Sequence, residues 1–389
     1  MAVKESFMGF ARPDDGVGAR NHVAVIPSVA CANGVVEAIA REVPGATPLF
    51  HGHGCGRGGE DLGRHFRTLV NLAVNPNVFG TLVVGLGCEV IKAEYLAERI
   101  SHSGRRVEFL NIQDVGGSRR AAARGAEAAR ALLREAERAE REEASLDRVV
   151  LGLECGGSDA FSGVTANPAV GLVADWLVGE GGTVILTETT EMIGTAHILA
   201  RRSRNGEIAG RVTSLIAEAE RRAREILGPL ASQVIAPGNM DGGMSSIREK
   251  SLGCILKGGG TTVNEVVDYG DIPREKGLVI MDGPGYDVES MAGLAACGCH
   301  AMLFTTGRGN PLGFPIVPVI KVASNSRLFR AMEDDMDVNA GAVLEGSSLE
   351  EVAAGTRALL LRVLNGEETR SEVNRQHGIL CLYSVTPAF

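Results

Sequence analysis

Seven short runs of Val, Ile and Leu recur along the chain, each closed by glycine or a polar residue: HVAVIPS (22–28), GTLVVGLG (80–87), RVEFLNI (106–112), DRVVLGLE (147–154), GTVILTE (182–188), GLVIMD (277–282) and HAMLFTT (300–306). None alternates strictly between apolar and polar residues. Strands buried on both faces of a parallel sheet read this way. Helical patterns lie between the runs, at 34–43, 117–146 and 209–227. Strand–helix alternation predicts an α/β fold of Rossmann-like parallel sheets with flanking helices. The length, 389 residues, exceeds one ordinary core, so two to three subdomains are expected. The long charged helix ends just before a new strand, and 227–243 reads as a loop. These features set boundaries near 145 and 235, dividing the chain into α/β segments 1–145, 146–235 and 236–389.

Composition narrows the function. Apolar residues make up 44% of the chain, enough for a packed interior, and 51 glycines supply many tight loops. The formal charge of −9 argues against a nucleic-acid partner but not against a small acidic substrate in a local basic pocket. The sequence has no run of about 18 apolar residues, so no membrane span is expected. MAVKESFMGFARPDDG lacks the apolar stretch of a signal peptide. Eight cysteines without a secretory signal read as reduced thiols or metal ligands in a cytoplasmic protein.

Most unusual polar clusters directly follow a strand-like run: Cys31 and Asn33, Cys88-Glu89, CGGSDAFSG (155–163), TTEMIGTAH (189–197), GPGYD (283–287) and GRGNPLG (307–313). Ligands of open α/β sheets bind beyond the carboxyl ends of the strands, so these clusters predict a composite site. Cys55, Cys88 and Cys155 each sit in a glycine-flanked loop. Three converging thiolates suit iron, as Fe2+ or an iron–sulfur cluster, with His53 in support and Mn2+ as an alternative. Packing under the turns is the competing reading. Arg308 in FTTGRG fits a substrate carboxylate, with Ser158 and Asp159 as polar contacts and Lys257 to neutralise an oxyanion. His51, His53, Glu188 and Asp287 are candidate bases. Arg12 and Arg20 read as part of a plain turn, CGCH (297–300) as packing, and EDDMDVNAG (333–341) as solvated or capping acids. No GxSxG elbow is present, and no GxGxxG follows the first strand, which speaks against a nicotinamide oxidoreductase.

RPDDGVGARNHV, HGHGCGR, NPNVFGTLVVGLGCE, ECGGSDAFSGVTANPAVG, DGPGYD, FTTGRGNPLG, IKVASN and MEDDMDVNAG together resemble the altronate and galactarate dehydratase family, from about residue 9 to about residue 385. The resemblance implies a metal-dependent lyase that removes a β-substituent from a hydroxy acid. Sugar-acid members eliminate water to yield a 2-keto-3-deoxy acid. The large subunit of sulfolactate sulfo-lyase, a relative, eliminates sulfite to yield pyruvate. The sequence starts at the GFARPDDG block, so the resemblance implies a separate small SAF-type subunit. A homo-oligomer of the large chain is the symmetric expectation. A non-catalytic scaffold subunit is the reading of another class.

Overall fold

The computed structural model describes residues 5–228, 235–378 and 380–389. A hairpin of β1 (Ser6–Ala11) and β2 (Val17–Gly18) opens the fold. Strands β3 (His22–Pro27), β4 (Ala46–Pro48), β5 (Val78–Gly85) and β6 (Arg106–Asn111) form a parallel sheet in the order β4-β3-β5-β6. Next, β7 (Arg141–Ser145) returns antiparallel to β1. The last seven strands are β8 (Val150–Cys155), β9 (Thr183–Leu186), β10 (Val263–Val267), β11 (Gly277–Met281), β12 (Ala301–Thr306), β13 (Val319–Ala323) and β14 (Val338–Asn339). They build one parallel sheet in the order β10-β11-β9-β8-β12-β13-β14.

All seven apolar runs are strands, six of them through burial; the exception is β6, which lies at the edge of the small sheet and is largely exposed, unlike the doubly buried strand expected there. Every residue of β9, β11, β12 and β13 is buried. Helices Ala166–Gly179 and Leu349–Leu364 cover one face of the large sheet. Helix Asp287–Ala296 covers the other and packs against helix Gly59–Ala73 of the N-terminal half. The core between them draws on both sheets: Ala24, Ile26 and Val83 from the small one, Val279, Met302 and Phe304 from the large one. The Asn77 side chain also ties the halves. It accepts from the N–H groups of Ala19 and Arg20 and donates to the carbonyls of His300 and Ile316.

The helix expected over 117–146 is shorter than its composition suggests. It runs Ser118–Ala136, and Asn21 Nδ2 donates to the Ala136 carbonyl at 2.7 Å. Residues 141–145 pair with β1 instead, and Arg141 stacks on Phe10 with its guanidinium 4.5 Å from the ring centroid. Ladder pairing and packing override local helix propensity here. The boundary near 235 falls between β9 and β10, which lie in the same sheet. Of the loop expected over 227–243, residues 229–234 lie outside the described residues, and Pro237–Asp241 is a helical turn.

Several polar motifs are structural. Arg12 donates to the Pro76 and Arg20 carbonyls, and Arg20 pairs with Glu372 at 2.8 Å. Cys297 and Cys299 are core residues, and His300 bridges Val17 and Val150 of the backbone. In the acidic 333–341 segment, Asp337 accepts from the N–H groups of Lys321 and Arg370.

Candidate active site

The carboxyl ends of the large sheet carry a buried, charged cluster. β8 ends in Glu154 and Cys155. After β9 the chain turns through Glu188, whose φ of +68° is left-handed. Such a conformation in a residue other than glycine costs on the order of 1–3 kcal/mol and occurs where a site needs the side chain in one place. The turn Thr189–Met192 then presents Glu191. Helix Ile247–Cys254 and the turn Ile255–Gly258 bring in Lys250, Cys254 and Lys257. Their four- and three-residue spacing puts them on one helical face.

Here Cys155 Sγ lies 2.9 Å from Glu191 Oε2, 3.6 Å from Glu188 Oε1 and 3.8 Å from Cys254 Sγ. Cys254 Sγ is 3.4 Å from Glu191 Oε2. Lys257 donates to Glu188 at 2.6 Å, and Lys250 pairs with Glu191. The Cys155 thiol is held well above its usual range, first by its hydrogen bond to Cys254 and then by burial. Burial also pushes the Glu188 carboxyl up to about 7, with Glu191 adding repulsion. Burial acts in the same direction on Glu191, but Lys250 and Lys257 outweigh it and hold that carboxylate below the ordinary value.

One ligand atom each from Cys155, Glu188, Glu191 and Cys254 falls within 4.8 Å of the others. A tetrahedral ion with metal–sulfur bonds of about 2.3 Å holds its thiolates roughly 3.8 Å apart, the spacing found. Two carboxylates already balance two lysines. A divalent ion that displaces two thiol protons therefore leaves the buried charge unchanged. The donor set fits a metal.

Beside this cluster, Arg308 and Arg327 line an open cleft of about 540 Å³ with Asp159 and Asn325. Both arginines are exposed, and neither side chain makes a hydrogen bond or ion pair among the described residues. Asp159 holds the cleft floor: it accepts from Ser162, Ser324 and Asn325. Ser158 is buried next to it. Asp287 starts helix Asp287–Ala296 and accepts from Asn310 at 2.6 Å. Its carboxyl is raised, first by burial and then by Glu191.

The other expected residues lie at the edge of the small sheet. His51 is fully buried. Its Nε2 donates to the Pro27 carbonyl at 2.7 Å and its Nδ1 accepts from the His53 N–H at 3.1 Å, so both nitrogens serve the backbone. His53 Nε2 accepts from Leu382 of the C-terminal tail. Cys55 and Cys88 are exposed, as is Cys31. Backbone bonds from Ala30 to His53 and from Ile91 to Gly54 join the loops of these three thiols. Cys55 and Cys88 are not among the ligands gathered around Cys155.

Sequence reasoning missed Glu191, Lys250 and Cys254. Glu191 lay in a quoted motif, TTEMIG. Lys250, Cys254 and Lys257 carried a usable signal in their helical spacing. What joins them to Cys155 is the packing of helix Ile247–Cys254 against the turn Thr189–Met192.

Among the described residues no helix is long and apolar enough to cross a membrane. Residues 146–386 match the family described as D-galactarate/Altronate dehydratase, C-terminal. Residues 9–137 match D-galactarate dehydratase/Altronate hydrolase, second domain. The chain is 37% identical to the altronate dehydratase of Bacillus subtilis, over 95% of this chain and 76% of that protein. It is 34% identical to the (2R)-sulfolactate sulfo-lyase subunit beta of Chromohalobacter salexigens, over 94% of each. It is 33% identical to the L-threo-forming galactarate dehydratase of Escherichia coli, over 98% of this chain and 77% of that protein. A buried thiol–carboxylate cluster beside an arginine-lined cleft, in a chain matched along nearly its whole length, belongs to the galactarate/altronate dehydratase family of lyases.

Proposed function

We propose that the chain catalyses β-elimination from a small hydroxy acid, with dehydration of a sugar acid to a 2-keto-3-deoxy acid as the leading reaction. The carrying observation is the four-donor cluster of Cys155, Glu188, Glu191 and Cys254 at the mouth of β8 and β9. Those residues would hold the metal. Thiolate donors favour iron over manganese. When bound, the ion supplies a Lewis acid for the departing hydroxyl. Arg308 binds the substrate carboxylate, Arg327 stands beside it, and Asp159 keeps the cleft floor in place. Lys257 holds Glu188 in orientation and Lys250 does the same for Glu191.

Release of sulfite from sulfolactate is the second reading. It is favoured by the sulfo-lyase relative, whose identity to this chain matches that of the dehydratases. A separate small SAF-type subunit, a homo-oligomer of this chain and a cytoplasmic setting complete the proposal. The name of that relative, a subunit beta, supports the partner.

The test is anaerobic purification with and without the small subunit, followed by assays for 2-keto acid and sulfite and by analysis of iron and acid-labile sulfide. Iron without sulfide, lost in Cys155→Ala and Cys254→Ala, supports the buried ion. Iron with sulfide, lost in Cys55→Ala and Cys88→Ala but kept in Cys155→Ala, moves the metal to the small sheet and overturns this assignment.

A further inference from the structure

Arg308 and Arg327 line one cleft of about 540 Å³, and both guanidiniums are free of hydrogen bonds and ion pairs among the described residues. They come from neighbouring parallel strands. β12 and β13 pair as far as Thr306 and Ala323, and the Ser324 N–H extends the ladder to the Thr306 carbonyl at 2.9 Å. Arg308 follows the end of β12. Its N–H donates to the Gly157 carbonyl at 2.7 Å, on the turn that leaves Cys155 of the proposed metal cluster. Arg327 sits in the first turn of the short helix Ser326–Ala331. Asn325 caps that turn by accepting from the Leu328 N–H at 2.8 Å.

One buried carboxylate fixes both launching points. Asp159 accepts from the Ser162 N–H and hydroxyl, the Ser324 hydroxyl and the Asn325 amide, so neutral donors occupy both of its oxygens. Asn325 also donates to the Gly307 carbonyl at 3.2 Å. Gly307 packs so tightly on Asp159 that a Cβ there would fall 2.2 Å from its Cγ. The backbone before Arg308 and the backbone before Arg327 are therefore tied together through Asp159. Its carboxylate pairs with neither guanidinium, and neither does Asp241, exposed on the rim of the cleft.

Two unpaired cations in one concavity repel each other and add nothing to stability. One carboxylate is satisfied bidentately by one guanidinium, which leaves the second unmatched. Cavities of roughly 300–1,000 Å³ hold a whole small ligand, so a single acid in this cleft has room to meet both arginines.

We propose that Arg327 is a specificity residue that binds a second anionic group, so that the preferred substrate is an acid with a negative group at each end. This rests on the β-elimination reading above. Arg308 takes the carboxylate beside the reacting carbons, since its loop is bonded to the turn after Cys155. Arg327 takes the far end. The second carboxylate of a hexarate and the sulfonate of sulfolactate offer the same chemistry there, anionic oxygens for a guanidinium fork. A hexonate ends in a neutral hydroxymethyl group and leaves Arg327 unmatched.

The test measures kcat/KM for galactarate beside galactonate, for altrarate beside altronate, and for (2R)-sulfolactate, with the metal-loaded chain and any small subunit. Wild type should favour a dianion over its matched monoanion by about tenfold or more. The hexarate and sulfolactate arms tell which dianion it is. Arg327→Met should lower kcat/KM for that dianion roughly 10- to 100-fold, chiefly through KM, with little change in unfolding temperature. The loss on a matched monoanion should be smaller by about tenfold or more. Arg327→Lys should recover part of the preference, because an ammonium keeps the charge but not the fork. Arg308→Met should weaken both members of a pair alike, since both carry the first carboxylate. A wild type without preference for a dianion, or an Arg327→Met variant that loses equally on both members of a pair, overturns the proposal and leaves the lyase reading intact. Calorimetric titration with the same acids covers the remaining case. A wild type that eliminates none of them, yet binds a dianion more tightly than its matched monoanion and loses that difference in Arg327→Met, keeps the second-anion site and removes the elimination reading. A wild type that neither eliminates nor discriminates in binding overturns both.

Discussion

Two sheet edges in this molecule present thiols in glycine-rich loops, and they differ in every other respect. At the small sheet, Cys31, Cys55 and Cys88 are exposed and the histidines nearby are bound to backbone. At the large sheet, Cys155 and Cys254 are buried among two carboxylates and two lysines. The same strand-end geometry gives exposed surface thiols in one place and a charge-balanced interior cluster in the other. Burial makes the difference. A buried carboxylate needs a partner, so charges collect there in opposite pairs. An exposed loop has no such demand, and its cysteines stand apart.

The sharpest way to break this contrast is thiol labelling of the folded chain. Cys31, Cys55 and Cys88 should react with a small alkylating reagent within the mixing time scale of the experiment, while Cys155 and Cys254 stay protected until unfolding. Equal labelling read by mass spectrometry would remove the distinction. Next in size is Glu191→Ala. It strands the Lys250 ammonium in a site where both side chains are less than a tenth exposed. Breaking such a pair costs about 3–5 kcal/mol, read as a large fall in the denaturation midpoint.

A smaller effect is expected at the cleft. Arg308→Ala should raise KM by roughly 10- to 100-fold through loss of one charge-assisted hydrogen bond of about 1.5–3 kcal/mol, with little change in unfolding temperature. An unchanged KM would take substrate binding away from this edge. The helix between the two edges gives a pH signal. Burial pushes Glu289 from an ordinary 4.5 up to about 7. The folded protein then holds a proton that the unfolded chain releases. Its stabilisation is complete below about pH 4.5 and fades as the pH rises through about 7. Glu289→Gln should flatten that slope in denaturation curves. Smallest of all is Cys55→Ala. As an exposed loop change it should shift stability by no more than about 0.5 kcal/mol, and a larger loss would mean that the small-sheet edge is built around its thiol.

The apolar runs of the sequence settled a good deal on their own. Each of the seven became a strand, six of them because a segment apolar on both sides has nowhere to go but the interior of a covered sheet; the seventh, β6, is an edge strand exposed along most of its length. The position of the polar clusters after those strands followed from the same pattern, as did the choice of Cys155, Glu188, Asp159 and Arg308 as residues at that edge. The late start of β7 in the charged helix was not legible, because its pairing with β1 is a contact more than 130 residues away in the chain.

The grouping of residues belonged to the tertiary structure alone. Cys55 and Cys88 look like Cys155 in their local sequence, and only folding separates them, by assigning their strands to different sheets. Cys254, Lys250 and Lys321 look like ordinary residues of a helix and a strand, and only packing brings the first two to Glu191 and sets the third over the Phe304 ring, with no hydrogen-bond partner among the described residues. Local sequence fixes which segments must be buried, since that depends on transfer of their own side chains from water. Which charges then meet inside depends on strand order and helix docking, and those are set by the whole chain at once.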